Sequence, residues 1–164
     1  MALIYNASEI FQMGIEIEKN GRAFYSACAE SAAAAEVRKL CGELSQWEGA
    51  HVAIFEQLKK DLPQSAYGET VFDPDNELSL YLKAAADSHI FVVNKDMASF
   101  AASLTTADDI LGKALYFEKD SVVLYASMLR MVPEHLGKKT VEKILDEELK
   151  HISIITRQMA SFKK

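Results

Sequence analysis

The sequence predicts an all-α protein, a bundle of four long helices with a long crossover between the second and third. Three observations predict it. Glycine (7) and proline (3) are scarce in 164 residues, and prolines at 63, 74 and 133 leave two long stretches without a strong helix breaker. No run alternates apolar and polar residues for long, so strand signals are nearly absent. Apolar residues recur instead at spacings of three and four, the period of a helix that buries one face.

The first helix is expected from about Ser8 to Ser31, with Ser8 or Asn6 as its N-cap. A turn around "SAAAA" leads to a second helix from about Ala34 to Asp61. The segment "LPQSAYGETVFDPDNE" then reads as loop, because Pro, Gly, Asn and Asp cluster there. Residues 77–104 suggest one or two shorter helices, "ELSLYLKAAADSH" and "NKDMASFAASL". Thr105 or Thr106 can cap a third long helix, whose Asp108 and Asp109 suit the positive end of its dipole and which stops before Pro133. A fourth fills about 136–162. Two short connections and one long one describe a single domain over 1–164, with a helical crossover insertion at about 62–105.

Composition narrows the function. Hydrophobic residues at 49% and charged residues at 26% are ordinary for a soluble globular chain. A net charge of −6 argues against a nucleic-acid partner, since no basic stripe could neutralise phosphates. The N-terminal segment lacks a cationic start, and no 18-residue apolar run occurs, so neither a signal peptide nor a membrane span is expected. Two cysteines, Cys28 and Cys41, form neither a Cys-x-x-Cys site nor a disulfide framework; they read as small core residues, and the expected location is the cytoplasm.

The chemistry lies in a repeat. Glu-x-x-His occurs at 48–51 ("EGAH") and again at 148–151 ("ELKH"), and on a helix each pair shares one face. The apolar stripe of the second helix is Val37, Leu40, Leu44, Glu48, His51, Phe55 and Leu58. That of the fourth is Val141, Ile144, Glu148, His151, Ile155 and Met159. In both, the Glu and His interrupt a stripe that must face the core, where an unpaired carboxylate costs several kcal/mol or protonates.

The same offset of 100 relates the other two helices. "IEIEKNGRAFY" (15–25) aligns with "LYFEKDSVVLY" (115–125), so Glu18 matches Glu118 and Tyr25 matches Tyr125. The inward stripes are Phe11, Ile15, Glu18, Arg22, Tyr25 and Leu111, Leu115, Glu118, Val122, Tyr125, with Arg22 expected to reach outward. Four carboxylates and two neutral imidazoles carry a charge of −4, which two divalent cations would cancel. An oxygen and imidazole donor set suits iron or manganese better than a metal that demands thiolate.

These motifs resemble the ferritin-like diiron carboxylate proteins, most closely their rubrerythrin branch, over about 8–61 and 106–162. The resemblance implies a metal-ligand set of Glu18, Glu48, His51, Glu118, Glu148 and His151, with Glu48 and Glu148 bridging and Glu18 and Glu118 terminal. It implies two metal ions, iron foremost with manganese or zinc as substitutes. The implied activity is that of a non-haem diiron oxidoreductase reducing peroxide or O₂, with an Fe(II)-oxidising storage protein or a structural dimetal bundle as alternatives. Two departures stand out. Rubrerythrins usually add a cysteine-rich rubredoxin domain, so a separate electron donor of rubredoxin type is expected here. They also carry an extra Glu one turn after the third-helix ligand, where this sequence has Ser121; the six-ligand set is closer to that of bacterioferritin. A homodimer is expected because family members commonly pair through bundle faces.

Other residues receive plainer readings. Tyr25 and Tyr125 are expected to be core aromatics bonded to ligand carboxylates, a redox role being the sharper alternative. His89 and His135 fall outside the stripes. Trp47 reads as packing or interface on a helix flank, and Asp146 and Glu147 as solvated neighbours of Glu148.

Overall fold

The computed structural model describes residues 6–67, 77, 80 and 96–162. The long helices are α1 (Ala7–Ser31), α2 (Ala35–Lys60), α4 (Ala107–Met131) and α5 (Lys138–Phe162), and the short α3 is Met97–Ala102. Single 3₁₀ turns lie at Gln64–Tyr67 and Glu134–Leu136, and no strand occurs among the described residues. Each long helix lies within about two residues of its expected span. The helix expected from Glu77 falls almost wholly outside the described residues, as does His89.

Local chemistry explains the ends. Asn6, not Ser8, caps α1: its side chain accepts from the Glu9 amide while the Glu9 carboxylate accepts from the Asn6 amide, a reciprocal capping box. Thr106 caps α4 by accepting from the Asp109 amide, which places Asp108 and Asp109 in the positive first turn. Pro133 follows α4, and Gly137 then takes φ 106° to redirect the chain into α5.

Helices α1 and α2 pack as one hairpin, α4 and α5 as the other, and α3 lies against α1. Phe24 on α1 meets Phe117 on α4 edge-on, with ring centroids 4.7 Å apart, and Phe100 of α3 stands 6.0 Å and 6.2 Å from the two rings. This aromatic joint ties the hairpins together. Close approach matters again at Gly14, where a Cβ would come within 2.9 Å of the Phe55 ring.

The inward stripes largely hold, and Arg22 is exposed as expected. One stripe needs correction. Leu115 and Val122 are only half-buried, and the deep line of α4 runs through Ala114, Phe117, Ser121 and Leu124 beside Glu118 and Tyr125. A helix packed against several neighbours buries a face broader than one line, and α4 is turned so that this second line lies deepest.

Gly137 offers a test of the α4–α5 joint. In the left-handed region a Cβ is strained, and here it would also lie 2.6 Å from Leu58 Cδ2. Gly137→Ala should cost about 1–2 kcal/mol, which lowers the melting temperature by roughly 3–6 °C in a calorimetric scan. An unchanged melting temperature would show that the turn relaxes freely.

No helix among the described residues is long and apolar enough to cross a membrane.

Candidate metal centre

The four long helices bring Glu18, Glu48, His51, Glu118, Glu148 and His151 together in the middle of the bundle, each at most 4% exposed. They form two overlapping groups, Glu18–Glu48–His51–Glu148 and Glu48–Glu118–Glu148–His151, with the donor atoms of each within 4.8 Å of one another. The overlap consists of Glu48 and Glu148.

Individual distances give these residues different positions. Glu148 directs Oε1 to within 3.0 Å of His51 Nδ1 and Oε2 to within 3.2 Å of His151 Nδ1. Glu48 also spans the two imidazoles, with Oε2 3.6 Å from His51 Nδ1 and Oε1 3.8 Å from His151 Nδ1. Glu18 meets only the first imidazole, at 3.4 Å, and Glu118 only the second, at 3.3 Å. Two carboxylates are therefore placed to be shared between two cations and two to serve one each.

The tyrosines cross between hairpins. Tyr25 on α1 donates to Glu118 Oε1 on α4, and Tyr125 on α4 donates to Glu18 Oε1 on α1. In each glutamate Oε1 is thereby occupied, while Oε2 is the atom nearest an imidazole. Both tyrosines are wholly buried, and burial, together with the neighbouring carboxylates, holds their hydroxyls protonated well above the usual range.

The cluster is crowded with acceptors. Among its buried atoms, His51 Nδ1 and Glu148 Oε1 lie 3.0 Å apart without the alignment of a well-formed hydrogen bond. Burial raises the pKa of Glu48, helped by the charges of Glu18 and Glu148, and pushes Glu118 up to about 8, helped by Glu148. Burial alone would depress both imidazoles. The carboxylates outweigh it, raising His51 through Glu148, Glu18 and Glu48 and raising His151 to about 9 through Glu118 and Glu148. Burial likewise works against ionisation of Glu148, but contacts with His151 and His51 keep it below the usual carboxylate range. Without a metal cation, such a cluster must hold protons to limit its charge.

Two residues beyond the six differ from their expected surroundings. Glu147 is not simply a solvated neighbour: from α5 it accepts the Nε2–H of His51 on α2, at 2.9 Å. Trp47 does more than pack on a flank: its ring stacks on His151, with centroids 4.9 Å apart and planes 11° from parallel. The clue to Glu147 was chemical, since a metal-binding histidine commonly donates its second nitrogen to a carboxylate. His135 is exposed on the 3₁₀ turn, far in character from the buried set. Cys28 and Cys41 are buried free thiols, and the Cys41 contact followed by burial raises the pKa of Cys28.

Comparison with known protein-family models finds no match, and no curated protein matches the sequence. Among solved structures, the chain is similar to a proposed ferritin-like diiron-carboxylate protein from Thermotoga maritima. The two share 23% identity over 98% of each chain, with a TM-score of 0.68. That likeness establishes a shared four-helix fold.

Proposed function

We propose that the chain binds two divalent metal ions, iron by preference, and acts as a rubrerythrin-like oxidoreductase that reduces peroxide or O₂. The observation that carries this reading is the convergence of four buried carboxylates on two buried imidazoles in two overlapping groups that share Glu48 and Glu148. With Nε2–H committed to Glu147, Nδ1 of a neutral His51 presents a lone pair to a carboxylate, an arrangement that a cation stabilises. The donor chemistry fits as well: four carboxylates and two imidazoles match the charge and softness of two ferrous or manganous ions. The structural neighbour, itself a proposed diiron-carboxylate protein, supports the reading.

Glu18 and His51 would hold one ion, Glu118 and His151 the other, with Glu48 and Glu148 between them. Two ferrous ions bound there would supply the two electrons that cleavage of an O–O bond requires. The chain's residues shape the surroundings. Tyr25 and Tyr125 fix the terminal carboxylates by donating to them, and Glu147 fixes the His51 ring. Phe24 and Phe55, both wholly buried, pack against Tyr25 and Tyr125 respectively, with ring centroids 5.2 and 5.5 Å apart. Ser121 is buried one turn beyond Glu118, so the set has no additional carboxylate there. In this reading a rubredoxin-type donor supplies the electrons for turnover, because the two cysteines here are buried free thiols and not an iron site.

The test is metal analysis of protein purified without added metal, then anaerobic Fe(II) loading and stopped-flow mixing with peroxide and with O₂. Two irons per chain should oxidise rapidly with an oxidant, and an added rubredoxin-type donor should restore the ferrous form. Accumulation of many ferric ions per chain would instead identify a storage protein, and Fe(II) that resists both oxidants a structural bundle.

A further inference from the structure

The offset of 100 relates every member of the six-residue set and both tyrosines, so the ligands alone would make the two metal positions equivalent. Positions 47 and 147, which the same offset relates, break that equivalence. Glu147 hydrogen-bonds His51 Nε2 at 2.9 Å, whereas its counterpart Trp47 stacks on His151. Among the described residues, no carboxylate lies within 4 Å of His151 Nε2.

The consequences for the two imidazoles differ. A carboxylate behind His51 fixes its tautomer with Nδ1 unprotonated, holds the ring in orientation and makes Nδ1 a stronger donor to a cation. His51 is also completely buried. His151 is held by an apolar ring that does none of this. Trp47 is half-buried and, with Glu147, Lys150, His151 and Ile154, lines a surface cleft of about 310 Å³. His151 thus reaches this cleft directly, with the Trp47 indole stacked against its ring at the cleft wall.

Resting on the dimetal reading above, we propose that the two metal positions are unequal: the His51 position fills first and tightly, and the His151 position exchanges its ion through the Trp47 cleft. Glu147 is then a positioning residue for one position only. Trp47 walls the exchange path of the other.

The test is calorimetric titration of the metal-free protein with Mn(II), paired with the rate at which a chelator removes each ion. The wild type should bind two Mn(II) in two steps, the first at least about tenfold tighter. Glu147→Ala should weaken the tight step by roughly 10–100-fold while leaving the weak step within about threefold. Glu147→Gln, whose amide oxygen can still accept from Nε2–H, should recover part of that loss. Trp47→Ala should speed chelator removal of the weakly held ion by about tenfold or more, with the tight step unchanged, if the indole at the cleft wall limits exchange. Because a vacant first position is the less repulsive one for any cation, two steps alone would not suffice; the selectivity of the two variants decides. Equal weakening of both steps by Glu147→Ala, no weakening of the tight step, or an unchanged exchange rate in Trp47→Ala overturns the inference. Failure of the wild type to bind any Mn(II) would instead overturn the dimetal reading itself.

Discussion

Loading the metal-free protein with Mn(II) should raise its melting temperature by about 15 °C or more at pH 8, and by less at pH 6. At a free ion concentration about a thousandfold above Kd, each bound ion stabilises the fold by about 4 kcal/mol. Two ions give about 8 kcal/mol, and a chain of this size gains roughly 2–4 °C per kcal/mol. The pH dependence follows from the protons that the metal-free cluster must hold. His151 rises from 6.5 to about 9 in the fold, through the carboxylates of Glu118 and Glu148 that outweigh its burial. Its contribution is fully present below pH 6.5 and lost as pH rises through 9. Glu118 rises from 4.5 to about 8 through burial and then the charge of Glu148, so the fold binds its proton more tightly than the unfolded chain does. That contribution too is present below 4.5 and fades as pH climbs through 8.

For both groups the folded state holds the extra proton, so metal-free stability falls as pH rises across this window. Metal binding changes in the opposite direction, because the same protons compete with the cation. The gap between chelator and Mn(II) should therefore widen from pH 6 to pH 8 in calorimetric scans. A melting temperature in chelator that climbs over this range would contradict the proton-holding cluster. An absent gap would contradict metal binding altogether.

Much of this centre was legible in the sequence for one physical reason: charge on an apolar stripe is an anomaly. Glu48, His51, Glu148 and His151 each interrupt such a stripe, and the structure buries all four. The offset of 100 extended the pattern to Glu18 and Glu118, and Tyr25 and Tyr125 do donate to those carboxylates. Helix ends followed from Asn6, Thr106 and Pro133, whose side chains act within a few residues of themselves.

Glu147 and Trp47 escaped because their roles are set between helices. Spacing within α5 places Glu147 beside the stripe, where a charged residue is ordinarily solvated, and its side chain is still 48% exposed. Only the approach of α2, 96 residues away in sequence, puts an imidazole N–H against it. Trp47 likewise sits beside Glu48, and nothing in the spacing of α2 reveals that a ring from α5 will stack on it. The half-buried Leu115 and Val122 have the same cause: rotation of a helix about its axis is settled by its neighbours.

Glu148→Gln should abolish binding at both metal positions, whereas Glu18→Gln should cost one. The two oxygens of Glu148 face different imidazoles, Oε1 at 3.0 Å from His51 Nδ1 and Oε2 at 3.2 Å from His151 Nδ1. An amide at this position replaces one oxygen by an NH₂ donor and removes a negative charge from both positions together. Loss of a shared carboxylate should weaken each ion by at least about a hundredfold, beyond the 10–100-fold typical of a residue that only supports a ligand. Glu18 faces His51 alone, so Glu18→Gln leaves Glu48, Glu118, Glu148 and His151 intact around the second ion. Bound Mn(II) per chain, measured after equilibration at a fixed free concentration and rapid desalting, should drop from two to almost none in the first variant and to about one in the second. Far-UV circular dichroism on the same samples separates lost binding from lost fold, since a folded Glu148→Gln chain keeps its helical signal. A folded Glu148→Gln protein that retained one tightly bound ion would place Glu148 on a single metal. The shared role would then belong to Glu48 alone, whose oxygens also span the two imidazoles but at the longer distances of 3.6 and 3.8 Å.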